Sequence, residues 1–270
     1  GAVRAGIARD GSAQDGIAQS GSARENGNER QGDAPGAREQ LAEHSSIARE
    51  RPIGILCALP QELGVLRERA ETTRHRQGLE LLEIDLDGDR CLACVGGVGK
   101  VMAARAASIL IGEGAERALL VVGTCGGLRQ HLVPGTFVHC STAAQVDLAH
   151  RHAREIEADA ALRAAWRRVA PGVEGWFLTA DRPVLSLWRR IRLARAFAGP
   201  CVADMETAAA AAVARAASVP WAGLRAVTDR ATIYGAAAFH LNFPTQAGRA
   251  ADTVAALVRE IGREDRAEAR

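Results

Sequence analysis

Three carboxylates stand where apolar runs give way to turns or helices: Glu62 just after Pro60, Glu206 at the head of an alanine-rich run, and Asp229 at the end of GLRAVTD. Carboxyl groups give and take protons and accept hydrogen bonds from hydroxyls, so a set of them invites acid–base chemistry on a hydroxylated molecule. Each also has an ordinary explanation. Asp204 and Glu206 flank Met205 in ADMETAAAAAVARAA (203–217), and the free N–H groups and dipole of a helix N-terminus favour negative charge. Glu62 suits the first turn of a helix opened by Pro60. Asp229 in TDRAT suits an Asx-turn. Arg225 lies within the apolar strand WAGLRAVT, where an unpaired charge is costly. Thr124, in the turn GTCGGL, is a turn-forming hydroxyl or a ligand contact.

Several familiar devices fail on spacing. Lys100, the chain's one lysine, sits in GGVGKV, but a phosphate-binding P-loop needs glycine where Cys94 stands and Ser or Thr where Val101 stands. A dinucleotide fingerprint needs glycine at Met102. There is no G-x-S-x-G elbow and no H-E-x-x-H helix. Cys91 and Cys94 form a C-x-x-C, but they fall on a predicted strand, where positions three apart face opposite ways. No second pair completes a zinc set. His150 and His152 are expected on a solvated loop. No metal or organic cofactor is expected.

The elements that must position these residues are legible from periodicity. The chain has 270 residues, 47% hydrophobic and 24% charged, enough for a sizeable core. A net charge of +2 is too small to imply a nucleic-acid or membrane partner, and 4% aromatics offer no stacking platform for single strands. No apolar run reaches the roughly 18 residues of a membrane span. No N-terminal segment pairs a basic start with an apolar stretch, so no signal peptide is expected, and the six cysteines are expected as buried, reduced thiols in a cytoplasmic protein.

Residues 1–50 carry a degenerate ten-residue repeat, GIARDGSAQD then GIAQSGSARE, and few bulky apolar side chains. They predict a disordered tail. Buried strands are expected at 53–59, 118–123 and 221–228, others at 79–88, within RCLACVGG, at 136–143 and at 175–180. Helices are expected after Pro60 over QELGVLRERA, and at 99–112, 153–168, 203–217 and 246–262. This alternation predicts an α/β fold, with a domain over 51–264 and a disordered end at 265–270.

IGILCALPQEL, VGGVGKVMAA, VVGTCGGL, VADMETAAAAAVA and LRAVTD stand in the order of the motif series of the nucleoside phosphorylase/nucleosidase superfamily. The chain resembles 5'-methylthioadenosine/S-adenosylhomocysteine nucleosidases in particular, over roughly residues 53–262. The resemblance implies a three-layer α/β/α fold with a central mixed sheet, and hydrolysis of the N-ribosidic bond of an adenine nucleoside with a modified 5' end. It implies Asp229 as the acid toward purine N7, Glu62 as the group that activates water, and Arg225 as an aid in placing that water. Glu206 would accept hydrogen bonds from the ribose 2'- and 3'-hydroxyls, Met205 would pack on the sugar, and Thr124 and Val184 would line the substrate site. A small-molecule nucleoside partner and a homodimer are implied as well.

Departures mark where the resemblance thins. Pro183, in TADRPVL, replaces the aromatic that relatives place beside the purine, leaving Phe239 or Phe243 to stack. Asp204 stands where relatives usually have Glu, and 144–174 is unlike the family's loop. The alternatives are a nucleoside phosphorylase, including one for a lipid-linked adenosyl substrate, and a non-catalytic nucleoside binder. Hexameric phosphorylases of the superfamily carry arginines after the first strand and before the GTCGG turn. Here those places read ALPQEL and LLVV, with no cation.

Overall fold

The computed structural model describes residues 51–148, 155–232 and 234–268. The tail expected over 1–50 and both His150 and His152 lie outside the described residues.

In chain order the elements are β1 (Ile53–Cys57), β2 (Ala70–Arg76), β3 (Leu79–Leu86), β4 (Asp89–Val95), α1 (Lys100–Gly112), β5 (Ala118–Gly127), β6 (Phe137–Gln145), β7 (Glu155–Glu157), α2 (Ala160–Val169), β8 (Val173–Thr179), α3 (Leu187–Ala196), β9 (Cys201–Asp204), α4 (Thr207–Ala216), β10 (Trp221–Asp229) and α5 (Gly235–Glu268). β1 pairs in parallel with β4 and β5, and the antiparallel strands β3 and β2 extend the sheet past β4. On the other side, β5 pairs with both β9 and β10, and the pairs β10–β6, β6–β8 and β8–β9 close a ring of five strands. The sheet is therefore mixed, as expected, but half of it is curled into a barrel.

Both faces of the sheet are covered. Along β5, Leu119 and Val121 point into the core beneath α1 and α4, while Leu120 and Val122 point into the core beneath α2 and α5. Burial on both sides is why these strands read as unbroken apolar runs. Cys91 and Cys94 fall in the two different cores, so this pair faces opposite ways.

Four local expectations are corrected. The segment after Pro60 forms two short 3-10 helices, Pro60–Glu62 and Gly64–Arg69, followed by β2. Gly64 takes a φ of +48°, and a Cβ there would lie 2.8 Å from the Ala251 Cβ, so close packing on α5 interrupts the helical turn. The helix expected over 153–168 divides into β7 on the edge of β6 and a helix starting at Ala160, where the Asp159 carboxylate accepts from the Leu162 N–H at 2.9 Å. The alanine-rich helix begins at Thr207: Asp204 ends β9 and Glu206 is the helix N-cap. The last helix starts at Gly235, passes through Pro244 and reaches Glu268, beyond the boundary expected at 264. The strand β2 and helix α3 were not anticipated, because one is exposed and polar and the other rich in arginine.

Candidate active site

The C-terminal ends of β5, β9 and β10 meet beside the 3-10 turn at Pro60–Glu62, and a cavity of about 380 Å³ opens there. Strand ends are where α/β sheets leave room for ligands. Glu62, Thr124, Val184, Met205, Glu206, Arg225 and Asp229 all line it. The seven come from five stretches of a long chain, and the fold brings all of them to the same cavity.

Glu62 is 2% exposed and held by four donors. Its Oε2 accepts from the Ala58 and Leu59 N–H groups at 3.0 and 3.1 Å, and its Oε1 from the Thr124 N–H and hydroxyl at 2.8 and 2.9 Å. Pro60 starts the tight turn that brings the carboxylate back over its own backbone. Gly123 is needed beside it for space: a Cβ would lie 2.6 Å from Glu62 Oε1 and 2.3 Å from Arg225 Nη1.

Arg225 is 1% exposed. Its Nη2 donates to Asp204 Oδ2 at 3.2 Å, Glu206 Oε2 at 3.3 Å and Thr207 Oγ1 at 3.1 Å, while Nε and Nη1 have no hydrogen-bond partner among the described residues. Burial works against its charge, but the carboxylates of Asp204, Glu206 and Glu62 outweigh that and hold the guanidinium above its ordinary value. Asp204, to which the sequence assigned no role, is the anchor of this network: it also accepts from the Thr179 and Thr207 hydroxyls and the Thr207 N–H. The signal was present in the sequence, since a buried arginine requires an acidic partner.

Glu206 receives the Gly99 N–H on Oε1 at 3.0 Å and the Met205 N–H on Oε2 at 3.3 Å. The GGVGK turn thus serves a carboxylate, not a phosphate; Gly99 sits at φ +101°, and Lys100 is paired with Asp147 at 2.8 Å and Asp181 at 3.3 Å. Burial pushes the Glu206 carboxyl up to about 7; Asp204 and Glu62 push the same way, against Arg225 and the Gly99 N–H. Asp229 is less enclosed. Burial raises its carboxyl above the ordinary value, opposed by the Ala231 N–H at 2.7 Å and the Thr228 hydroxyl at 2.9 Å. An elevated carboxyl at a strand end in a cavity is the environment of a general acid.

Pro183 lines the cavity, and so do the rings of Phe239 and His240. Phe243 is buried behind Phe239, with ring centroids 4.7 Å apart. The described residues contain no cluster of His, Cys, Asp and Glu suited to a metal ion.

The fold and this carboxylate-lined cavity define a class, the α/β proteins of the nucleoside phosphorylase type. The model of the Phosphorylase superfamily matches residues 52–263, and the chain belongs to that superfamily. Its curated relatives include the 5'-methylthioadenosine/S-adenosylhomocysteine nucleosidase of Shewanella piezotolerans, 27% identical over 198 residues, which are 66% of this chain and 86% of the relative. The nucleosidase of the same name from Mycobacterium tuberculosis is 31% identical over 97 residues, 35% of this chain and 38% of the relative. Among solved structures, the Neisseria meningitidis nucleosidase in complex with methylthio-immucillin-A superposes with a TM-score of 0.73 at 27% identity, covering 77% of this chain and 98% of that one. Helicobacter pylori futalosine hydrolase shares the fold, with a TM-score of 0.72 at 22% identity over 78% of this chain and 98% of that one.

Proposed function

We propose that this protein hydrolyses the N-ribosidic bond of an adenine nucleoside with a modified 5' end, releasing adenine. The observation that carries this reading is the division of labour among carboxyl groups in one cavity: Asp229 raised by burial, and Glu62 fixed by four donors beside the half-satisfied Arg225.

Breaking the bond leaves an oxocarbenium-like sugar and pushes electrons onto the purine. Asp229, protonated, donates to N7 and then accepts from the 6-amino group. A 6-oxo purine would present an acceptor to that carboxylate, so adenosine-type substrates are preferred over inosine. Glu206 accepts hydrogen bonds from the ribose hydroxyls, and Met205 packs on the sugar. Glu62 takes a proton from the attacking water when the Thr124 hydroxyl turns away and frees a lone pair. Arg225, in the cavity wall beside Glu62, helps to place that water. Phe239 offers an aromatic face in place of the one missing at Pro183.

Water is favoured over phosphate because a dianion at this place would meet Glu62. Unit charges 4 Å apart repel by about 4 kcal/mol at an effective dielectric near 20. A panel of adenosine, inosine, methylthioadenosine and S-adenosylhomocysteine, scored for free base in phosphate buffer, tests the reading. Free adenine and a free ribose-type sugar, at a rate independent of phosphate, are expected. A sugar 1-phosphate as the main product would establish phosphorolysis, and binding without base release would leave a nucleoside-binding protein.

The same reading includes a homodimer in the cytoplasm. Val98, Val101 and Met102, 48%, 79% and 38% exposed around the start of α1, form an apolar patch on which a second copy could seat, and Val98 also lines the cavity. The six thiols are all free and buried, in keeping with a reducing compartment. Light scattering on the purified chain should give twice the chain mass, and Val101→Glu should lower it to one.

A further inference from the structure

A net charge near zero conceals one strongly asymmetric stretch. Residues 182–203 contain Arg182, Arg189, Arg190, Arg192 and Arg195 and no acidic residue. Elsewhere arginines are commonly paired: on α2, Arg163 and Arg167 meet Glu174, and Arg168 meets Glu260 and Glu264. On α3, Arg189, Arg192 and Arg195 have no ionic partner among the described residues. Leu193 and Ala194 bury one side of α3 in the protein. At its N-terminal tip the apolar side chains point outward instead: Leu185, Leu187 and Trp188 are 48%, 49% and 81% exposed. A groove of about 600 Å³ runs alongside, lined by Arg129, His131, Leu187, Arg190 and Arg195 among others, and no acidic side chain faces it.

We propose that the tip and basic face of α3 form a docking surface for an anionic lipid bilayer. An exposed tryptophan and two leucines ringed by unpaired arginines suit the boundary between headgroups and acyl chains. There the indole and leucines enter the apolar layer while the guanidinium groups meet lipid phosphates. A second copy of the chain fits this patch poorly, because a two-fold contact would set arginines against arginines. An acidic protein or a nucleic acid would satisfy the arginines but would leave the leucines in water. The contact is peripheral: no described helix is long and apolar enough to cross a membrane. It does not rest on the reaction proposed for the cavity, although Leu185 also lines that cavity.

The full chain should sediment with vesicles of phosphatidylcholine containing one-third phosphatidylglycerol, and not with pure phosphatidylcholine. Binding should weaken steeply with salt. Trp166 and Trp221 are buried and Trp176 packs on Phe197, so a blue shift of tryptophan emission on adding vesicles should come from Trp188 and vanish in Trp188→Ala. Arg189→Gln with Arg192→Gln should weaken vesicle binding by about 25-fold, while turnover of soluble substrate stays unchanged. The proposal is overturned by equal binding to neutral vesicles, by binding that survives these substitutions, or by a heparin-induced blue shift as large as that from vesicles. It is also overturned if Trp188→Ala dissociates an oligomer, which would make this face a subunit contact.

Discussion

The cavity and helix α3 adjoin, with Arg182 and Leu185 in the cavity wall just before α3 begins, yet they handle arginine in opposite ways. Arg225 is enclosed, and Asp204, Glu206 and Thr207 share its Nη2. Arg192 and Arg195 on α3 are exposed, and with Arg189 they have no ionic partner among the described residues. A charge removed from water needs partners, and those partners then shift one another's proton affinity; a solvated charge needs neither and shifts little. The cavity should therefore be intolerant of conservative substitution, and α3 indifferent to it in free solution.

The sharpest test of the cavity is Asp229→Ala. Loss of general-acid help is expected to lower kcat by about 10²–10⁴-fold with the melting temperature nearly unchanged. Near-normal adenine release would reduce Asp229 to an Asx-turn residue.

Gly123→Ala probes packing without touching a charge. The new Cβ would lie 2.3 Å from Arg225 Nη1 and 2.6 Å from Glu62 Oε1, so one or both must move. A displacement of about 1 Å in such a site can cost roughly 10²-fold, and a fall of that size in kcat/KM is expected. Wild-type kinetics would mean that the spacing of Glu62 and Arg225 is unimportant.

Glu206→Gln keeps the shape but removes one charged acceptor. A fall of at least about tenfold in kcat/KM follows, because a hydrogen bond to a charged group contributes roughly 1.5–3 kcal/mol. The variant also tests the elevated carboxyl. A group whose folded value is raised from 4.5 to about 7 binds its proton more tightly in the native state. Its contribution to stability is full below the unfolded value and lost as pH rises through about 7. Melting temperature in the wild type should carry this decline between pH 5 and 8, and Glu206→Gln should flatten it. An unchanged slope would show that Glu206 titrates normally.

The smallest effect is expected on α3. Arg192→Gln should leave turnover in free solution unaltered and stability within about 0.5 kcal/mol, as for a surface site without partners. A marked loss of either, measured by steady-state rates and thermal melts, would erase the contrast with the cavity.

Much of the site was legible because its residues stand at the ends of unbroken apolar runs, buried on both faces. IGILC, ALLVV and GLRAVT declare themselves as buried strands, and the residues at or just beyond their ends, Glu62, Thr124 and Asp229, reach the cavity for that reason. Local propensity misled where a distant element intervened. QELGVLRERA has helical spacing, but Gly64 packs on Ala251 of α5 and the turn tightens.

The sequence by itself determined the buried central strands, the superfamily motifs and seven residues of the cavity wall, because continuous burial is written in neighbouring residues. Only the tertiary structure decided which groups share a proton, a hydrogen bond or a charge. The Gly99 N–H reaches Glu206 across 107 residues, and Thr124 reaches Glu62 across 62. Desolvation, which raises Asp229 and Glu206, is a property of the surrounding volume and has no counterpart in a one-dimensional pattern.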